Sequence, residues 1–211
     1  MSSIPLSFMA PPSTSTLDEE TARAEIYGLL AALYYAPPTA ELMAQLRVAA
    51  TVAPAPGGFL QAPWEALVEA SRVLDDAAIA REYNALFGGM GKPEVYLFGS
   101  HYLSGFLNEK PLAALRGDLA TLGLARDDAM SETEDHAAYL MEVMRYLIAG
   151  DDVAVANLSR QRQFFADHLQ PWLLKMCDAI GVHPKASFYA ALAGFTSAFV
   201  HVETQGFDML V

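Results

Sequence analysis

The chain has 211 residues, 53% of them hydrophobic, with 13 Lys and Arg against 25 Asp and Glu and a formal charge of −12. That size and apolar content exclude a disordered chain and suit one sizeable domain, or two small lobes around one core. The acidic balance argues against nucleic acid, because phosphate binding needs clustered Lys and Arg to release counterions. It is compatible with a basic or peptide-like partner.

The first 15 residues, rich in Pro, Ser and Thr, read as a loose tail. They lack the basic start and continuous apolar run of a secretory signal. No stretch approaches the roughly 18 uninterrupted apolar residues of a membrane span. Cys177 has no second cysteine to pair with, which fits a reducing compartment. The expectation is a cytoplasmic protein with no integral membrane segment.

From Leu17 a helical stripe, Ile26, Leu29, Leu30, Leu33 and Tyr34, runs up to Pro37-Pro38, which stops it. Thr39 is placed to cap a second helix reaching about Ala50, and 51–63 is a loop. Pro63 suits the first turn of a helix over Trp64–Leu74, and another runs over 75–87 to Gly88-Gly89. The segment 88–99 breaks the pattern with glycines, a proline and aromatic residues. Ser100 is placed to cap the next helix, Pro111 restarts it and Gly123 ends it. A helix beginning near Ser131 closes at Gly150. Two long helical runs follow, 151–180 and 185–205, with Pro171 expected to kink or divide the first. The prediction is an all-α fold of about eight to ten helices in a single domain over 16–211. An N-terminal lobe (16–88) and a C-terminal lobe (100–211) meet at a hinge (89–99).

The most suggestive stretch is "SETEDHAAYLMEVM", where Glu132, Glu134 and Asp135 crowd against His136. Ser131 and Glu134 have the spacing of a capping box, and acids at a helix start complement its dipole. Leu140, Val143, Met144 and Leu147 mark the core face; His136 leans toward it and Asp135 sits at its edge, about 100° away. A cap plus an interior histidine is the plain reading of this pattern; recognition of a partner is the functional one.

A metal site is not expected. HExxH, CxxC and paired Glu-x-x-His motifs are absent, and His101, His136, His168, His183 and His201 are scattered. There is no GxSxG elbow, and Cys177 falls in an amphipathic helix where a buried thiol is the default. "GGMGK" has the glycines and lysine of a phosphate loop at the wrong spacing, with Pro93 following. The stripe Phe165, Leu169, Trp172 and Met176 reads as core. By contrast "PEVYLFGSHYLSGF" gathers Tyr96, Phe98, Tyr102 and Phe106 beside Glu94, which suits peptide binding: rings give rigid apolar contact, and a carboxylate can take a bidentate arginine.

Taken together, "YNALF" (83–87), "PEVYLFGSHYL", "ETEDHAAYLMEVM" and "FFADHLQPW", in this order, resemble the TorD/DmsD/NarJ family of redox-enzyme maturation chaperones. Thr133 stands where that family usually has a proline before x-Asp-His. The resemblance implies a helical chaperone, not an enzyme and without a cofactor. It would bind the twin-arginine signal peptide and apo form of a molybdenum-containing oxidoreductase, delaying export until the cofactor is inserted. Asp135, Glu94 and Glu132 would supply charge, Tyr96, Phe98, Tyr102 and Phe87 surface, and His136 would orient Asp135 or respond to pH. Two alternatives stand beside it: a NarJ-like assembly factor for a non-exported redox subunit, and a small helical hydrolase or nucleotide-binding enzyme. A glycine-rich connector also permits lobe exchange, and so a homodimer.

Overall fold

A computed structural model describes residues 16–51, 58–88, 92–107, 110–127 and 131–209. The expected tail (1–15), residues 52–57 of the expected 51–63 loop and residues 89–91 of the hinge lie outside the described residues; the next helix begins within that loop, at Gln61. Among those described there are ten helices, matching the all-α expectation: α1 (Thr16–Tyr35), α2 (Ala40–Val48), α3 (Gln61–Val73), α4 (Asp76–Leu86), α5 (Gly99–Ser104), α6 (Lys110–Thr121), α7 (Ala137–Ala149), α8 (Leu158–His168), α9 (Leu173–Gly181) and α10 (Phe188–Asp208).

Local chemistry sets many of these ends. Thr39 Oγ1 accepts from Leu42 N, Asp75 Oδ1 from Ala78 N and Asn157 Oδ1 from Arg160 N, each satisfying a first-turn amide that has no partner within its helix. Pro171 divides the long 151–180 run, separating α8 from α9. The start of α10 has no cap of its own. Glu82 on α4 reaches over instead, its carboxylate accepting from the amides of Ser187, Phe188 and Tyr189.

The core is one continuous cluster that draws on both halves of the chain. Helix α1 packs along α7, while α10 packs against α9, α3 and α4. Helix α10 buries Phe188, Tyr189, Leu192, Phe195 and Phe199. The Phe165–Leu169–Trp172–Met176 stripe is buried throughout, as its spacing requires. Cys177 is buried in the same core, and burial pushes its thiol up to about 12, so it is inert in the folded chain.

Two polar ties cross this core. The Arg23 guanidinium on α1 holds Glu203 on α10 through two nitrogens, at 2.7 and 2.8 Å. Tyr27 donates to the same carboxylate at 2.9 Å, and Gln161 on α8 joins Arg23 to the carbonyl of Leu147 on α7. Separately, Tyr34 and Thr196 share a buried hydroxyl hydrogen bond at 3.0 Å.

Candidate functional site

The described residues that lead into α5 dock on the residues that open α7. Gly99 N donates to the Asp135 carbonyl at 2.9 Å and Ala137 N to the Leu97 carbonyl at 2.8 Å, a two-bond antiparallel bridge between Phe98 and His136. The Asp135 side chain completes this knot. Its Oδ2 accepts from Ser100 N at 2.9 Å and its Oδ1 from the Thr133 hydroxyl at 2.6 Å. Asp135 is only 3% exposed. It therefore acts as the N-terminal anchor of α5, a role the sequence pattern assigned to Ser100. A Cβ at Gly99 would lie 3.0 Å from Trp172 Nε1 and 3.1 Å from Cε2, so any side chain there would push the indole back by a few tenths of an ångström.

The capping box expected from Ser131 and Glu134 does not form. Helix α7 starts later, at Ala137, and its N-cap is His136, whose Nδ1 accepts from Ala138 N at 3.2 Å. The Glu134 carboxylate instead takes Arg116 of α6 in a bidentate pair at 2.9 and 3.0 Å. The physical reason is that Asp135 is fixed by long-range bonds to α5, which hold 133–135 in a turn and forbid an earlier helix start. Burial lowers the His136 pKa to about 4, with the Asp135 charge pulling the other way. A neutral ring is also what an Nδ1 acceptor demands.

The other expected site residues fall into separate groups. Phe98 packs edge-on to His136 at 5.0 Å between ring centres, so Phe98, Asp135 and His136 come together. Tyr96 stacks on His101 at 4.1 Å; Tyr102 stacks on Trp172 at 5.7 Å and donates to the Tyr96 carbonyl. Phe87 belongs to an aromatic cluster with Tyr34, Tyr83 and Tyr189. Glu94 is bound to Lys185 and, at 2.9 Å, to His183, tying the hinge to the α9–α10 connection. The hydrogen bond from Lys185 holds the Glu94 carboxyl below its usual range. Glu132 is half-buried and near Tyr83, whose phenol is pushed up to about 12 by burial and, secondarily, by this carboxylate.

Sequence reasoning missed the surface beside the knot. A groove of about 470 Å³ lies between α1 and α7, its wall completed by Leu119 of α6 and by Leu124, Ala125 and Arg126 after it. Ala31, Ala32, Tyr35, Leu119, Leu124, Ala138, Tyr139, Val143 and Tyr146 line it, with Glu134 and Glu142 among its few charged members. Tyr35 and Tyr139, which lie in this lining, also contact the His136 ring, at 6.5 and 5.6 Å. A signal was present in the sequence. Helix α7 carries Leu140, Met144 and Leu147 on its core stripe, yet Tyr139, Val143 and Tyr146 repeat the same spacing one residue earlier. Two adjacent apolar stripes are more than one core face needs.

Comparison with known proteins bears on this arrangement. The family model for the nitrate reductase delta subunit matches residues 58–178, more than half of the chain and inclusive of the hinge, the knot and α7. The chain belongs to that family. It is a family of chaperones rather than catalysts, and the chain is a redox-enzyme maturation chaperone. The chaperone protein TorD of Vibrio cholerae is 27% identical over 157 residues, spanning 69% of this chain and 71% of that relative. TorD of Vibrio parahaemolyticus is 24% identical over 153 residues, spanning 66% and 71%. A protein of Archaeoglobus fulgidus described as a candidate redox enzyme maturation protein has the same fold, with a TM-score of 0.54, 17% identity, and 94% of this chain and 99% of that one covered. Among the described residues no helix of the chaperone is long and apolar enough to cross a membrane.

Proposed function

We propose that this chaperone binds the twin-arginine signal peptide of a molybdenum-containing oxidoreductase and holds the apo form until cofactor insertion and assembly are complete. The observation that carries this reading is the apolar groove between α1 and α7, which ends at the motif residues. A signal peptide combines two arginines with an apolar stretch, and the groove offers a matching lining with acids along it. Glu134 and Glu142 are each paired with an arginine of the chain itself, Arg116 and Arg145. An incoming arginine can exchange for Arg145 at Glu142 at little cost, because exposed ion pairs are worth little, whereas the more buried, bidentate Glu134 is held more firmly by Arg116. Glu132 adds a further carboxylate nearby. On this reading Asp135 and His136 are positioning residues, fixing the end of the groove and the Phe98 ring without touching the peptide's charge. Glu94, Tyr96, Tyr102 and Phe87 hold the hinge in register.

The test is calorimetry with a synthetic peptide bearing consecutive arginines and an apolar run. Val143→Asp and Tyr35→Ala should each weaken binding about tenfold or more, since both remove apolar contact from the groove. Binding by both variants at wild-type strength rejects the groove. Failure of the wild type to bind any redox-enzyme precursor rejects the function. A second reading is assembly of a redox subunit that is not exported; the family's description, nitrate reductase delta subunit, links the family to a redox enzyme. A client peptide without consecutive arginines that binds equally well selects it.

A further inference from the structure

Arg145 on α7 is bonded to Glu142, a carboxylate that lines the groove, and lies against α1 as well. Its Nε and Nη2 both reach Glu142 Oε2, at 2.8 and 2.7 Å. Among the described residues the other oxygen, Oε1, has no hydrogen-bond partner. Glu134 differs, since Arg116 takes both of its oxygens. The stem of Arg145 rests on Gly28: a Cβ there would lie 3.0 Å from Arg145 Cδ and 3.6 Å from Nε. Glycine weakens a helix interior relative to alanine. Gly117, Gly194 and Gly206, also within helices, would have nothing within 4 Å of such a Cβ. At Gly28 the missing methyl is the space that Arg145 fills. The two helices run antiparallel here, with Tyr35 against Tyr139 and Gly28 against Arg145. Arg145 therefore sits about 9 Å beyond Tyr139 along α7.

We propose that Arg145 is an internal competitor for the client peptide: seated on Gly28, it occupies Glu142 while the groove is empty, and a client arginine has to displace it. This names a regulation of the groove and rests on the peptide reading given above. The exchange is like for like. One guanidinium replaces another on the same carboxylate, so the arginine adds little net affinity and the apolar stretch supplies most of it. The open Oε1 gives an incoming guanidinium a first foothold before Arg145 leaves Oε2. Arg145 is tethered three residues from Glu142, so it returns at high effective concentration once the apolar stretch withdraws. A client is then held reversibly and is not trapped by its own charge. A peptide without arginine leaves the Arg145–Glu142 pair intact, and removing Arg145 brings it no gain.

The experiment measures, by calorimetry on the full chain, a peptide with consecutive arginines and an apolar run, and the same peptide with both arginines replaced by glutamine. Arg145→Gln should tighten the arginine peptide about two- to fivefold, the range that an exposed pair supports, and leave the glutamine peptide no tighter. Arg145→Lys should restore most of the competition. Gly28→Ala keeps every charge but crowds the Arg145 stem off α1, and should tighten the arginine peptide about twofold. Arg160→Gln on α8 changes the net charge equally and should leave both affinities as they are. Equal tightening of both peptides by Arg145→Gln, or of neither, overturns the proposal while the groove reading stands. So does tightening by Arg160→Gln that matches it. A wild type that binds neither peptide overturns the groove reading and this inference with it.

Discussion

The chain buries a carboxylate in two places to almost the same degree, Glu203 at 4% exposure and Asp135 at 3%. Glu203 is answered by a full positive charge, the Arg23 fork, with Tyr27 behind it. Asp135 is answered only by neutral donors, the Ser100 amide and the Thr133 hydroxyl, at the start of α5. The first arrangement ties finished helices across the core. The second fixes where two helices begin, beside an open groove. Burial alone therefore does not reveal a polar group's task; its partners do.

Neutralising each acid should separate the two. Glu203→Gln leaves the part-buried Arg23 guanidinium without its countercharge; breaking a fully buried pair costs about 3–5 kcal/mol, and the 16% exposure of Arg23 places this loss at the low end of that range. Asp135→Asn keeps the size and an acceptor for one of its two donors, so it should cost only about 1–3 kcal/mol. Denaturant unfolding of both variants checks the order. Equal losses would mean that Asp135 relies on a cationic partner after all. Restoring apolar fit with Arg23→Met and Glu203→Leu together should recover most of the first loss.

His136 supplies the next contrast, because burial moves its titration far from that of a free imidazole. Its folded pKa is about 4 against 6.5 for the ordinary group. Between those values the unfolded chain binds more protons than the folded one. Stability contributed here is therefore full above pH 6.5, falls as pH drops toward 4, and levels off below that. The whole fall is at most about 3.5 kcal/mol, from roughly 1.4 kcal/mol per pKa unit. His136→Asn keeps an N-cap acceptor for α7 without a titrating ring. Melting temperature followed from pH 7 to 4 should slope less in this variant than in the wild type; identical slopes would show that His136 is not the titrating group.

These two regions also show what a sequence can disclose. The all-α fold, the break at Pro171 and the cap at Thr39 follow from propensity and short-range hydrogen bonds, and such signals sit within a few residues of each other; the helical run expected from 151 begins only at Leu158, after the Asn157 cap. The start of α7 was misread because Ser131 and Glu134 offer a cap that local rules favour, while Asp135 is held by residues 35 positions away. The Arg23–Glu203 tie spans 180 positions and leaves no pattern to see. The groove was half legible: the second stripe of α7 was in the sequence, but its pairing with α1 was not.

Thr133 gives the smallest effect and the finest test of the comparison. Its hydroxyl donates to Asp135 Oδ1 at 2.6 Å, and its carbonyl accepts from His136 N at 3.0 Å. Thr133→Val preserves shape and the backbone turn while removing one of the two donors that Asp135 has. The expected cost is about 1–2 kcal/mol, the net worth of one hydrogen bond to a charged acceptor in a half-buried setting. If neutral donors are what hold Asp135, the loss should shrink in the Asp135→Asn background, because an amide is less costly to leave short of a partner. A double-mutant cycle in urea measures that coupling. Fully additive losses would mean that Thr133 acts through the turn alone, and that Asp135 is held by the α5 amide without its help.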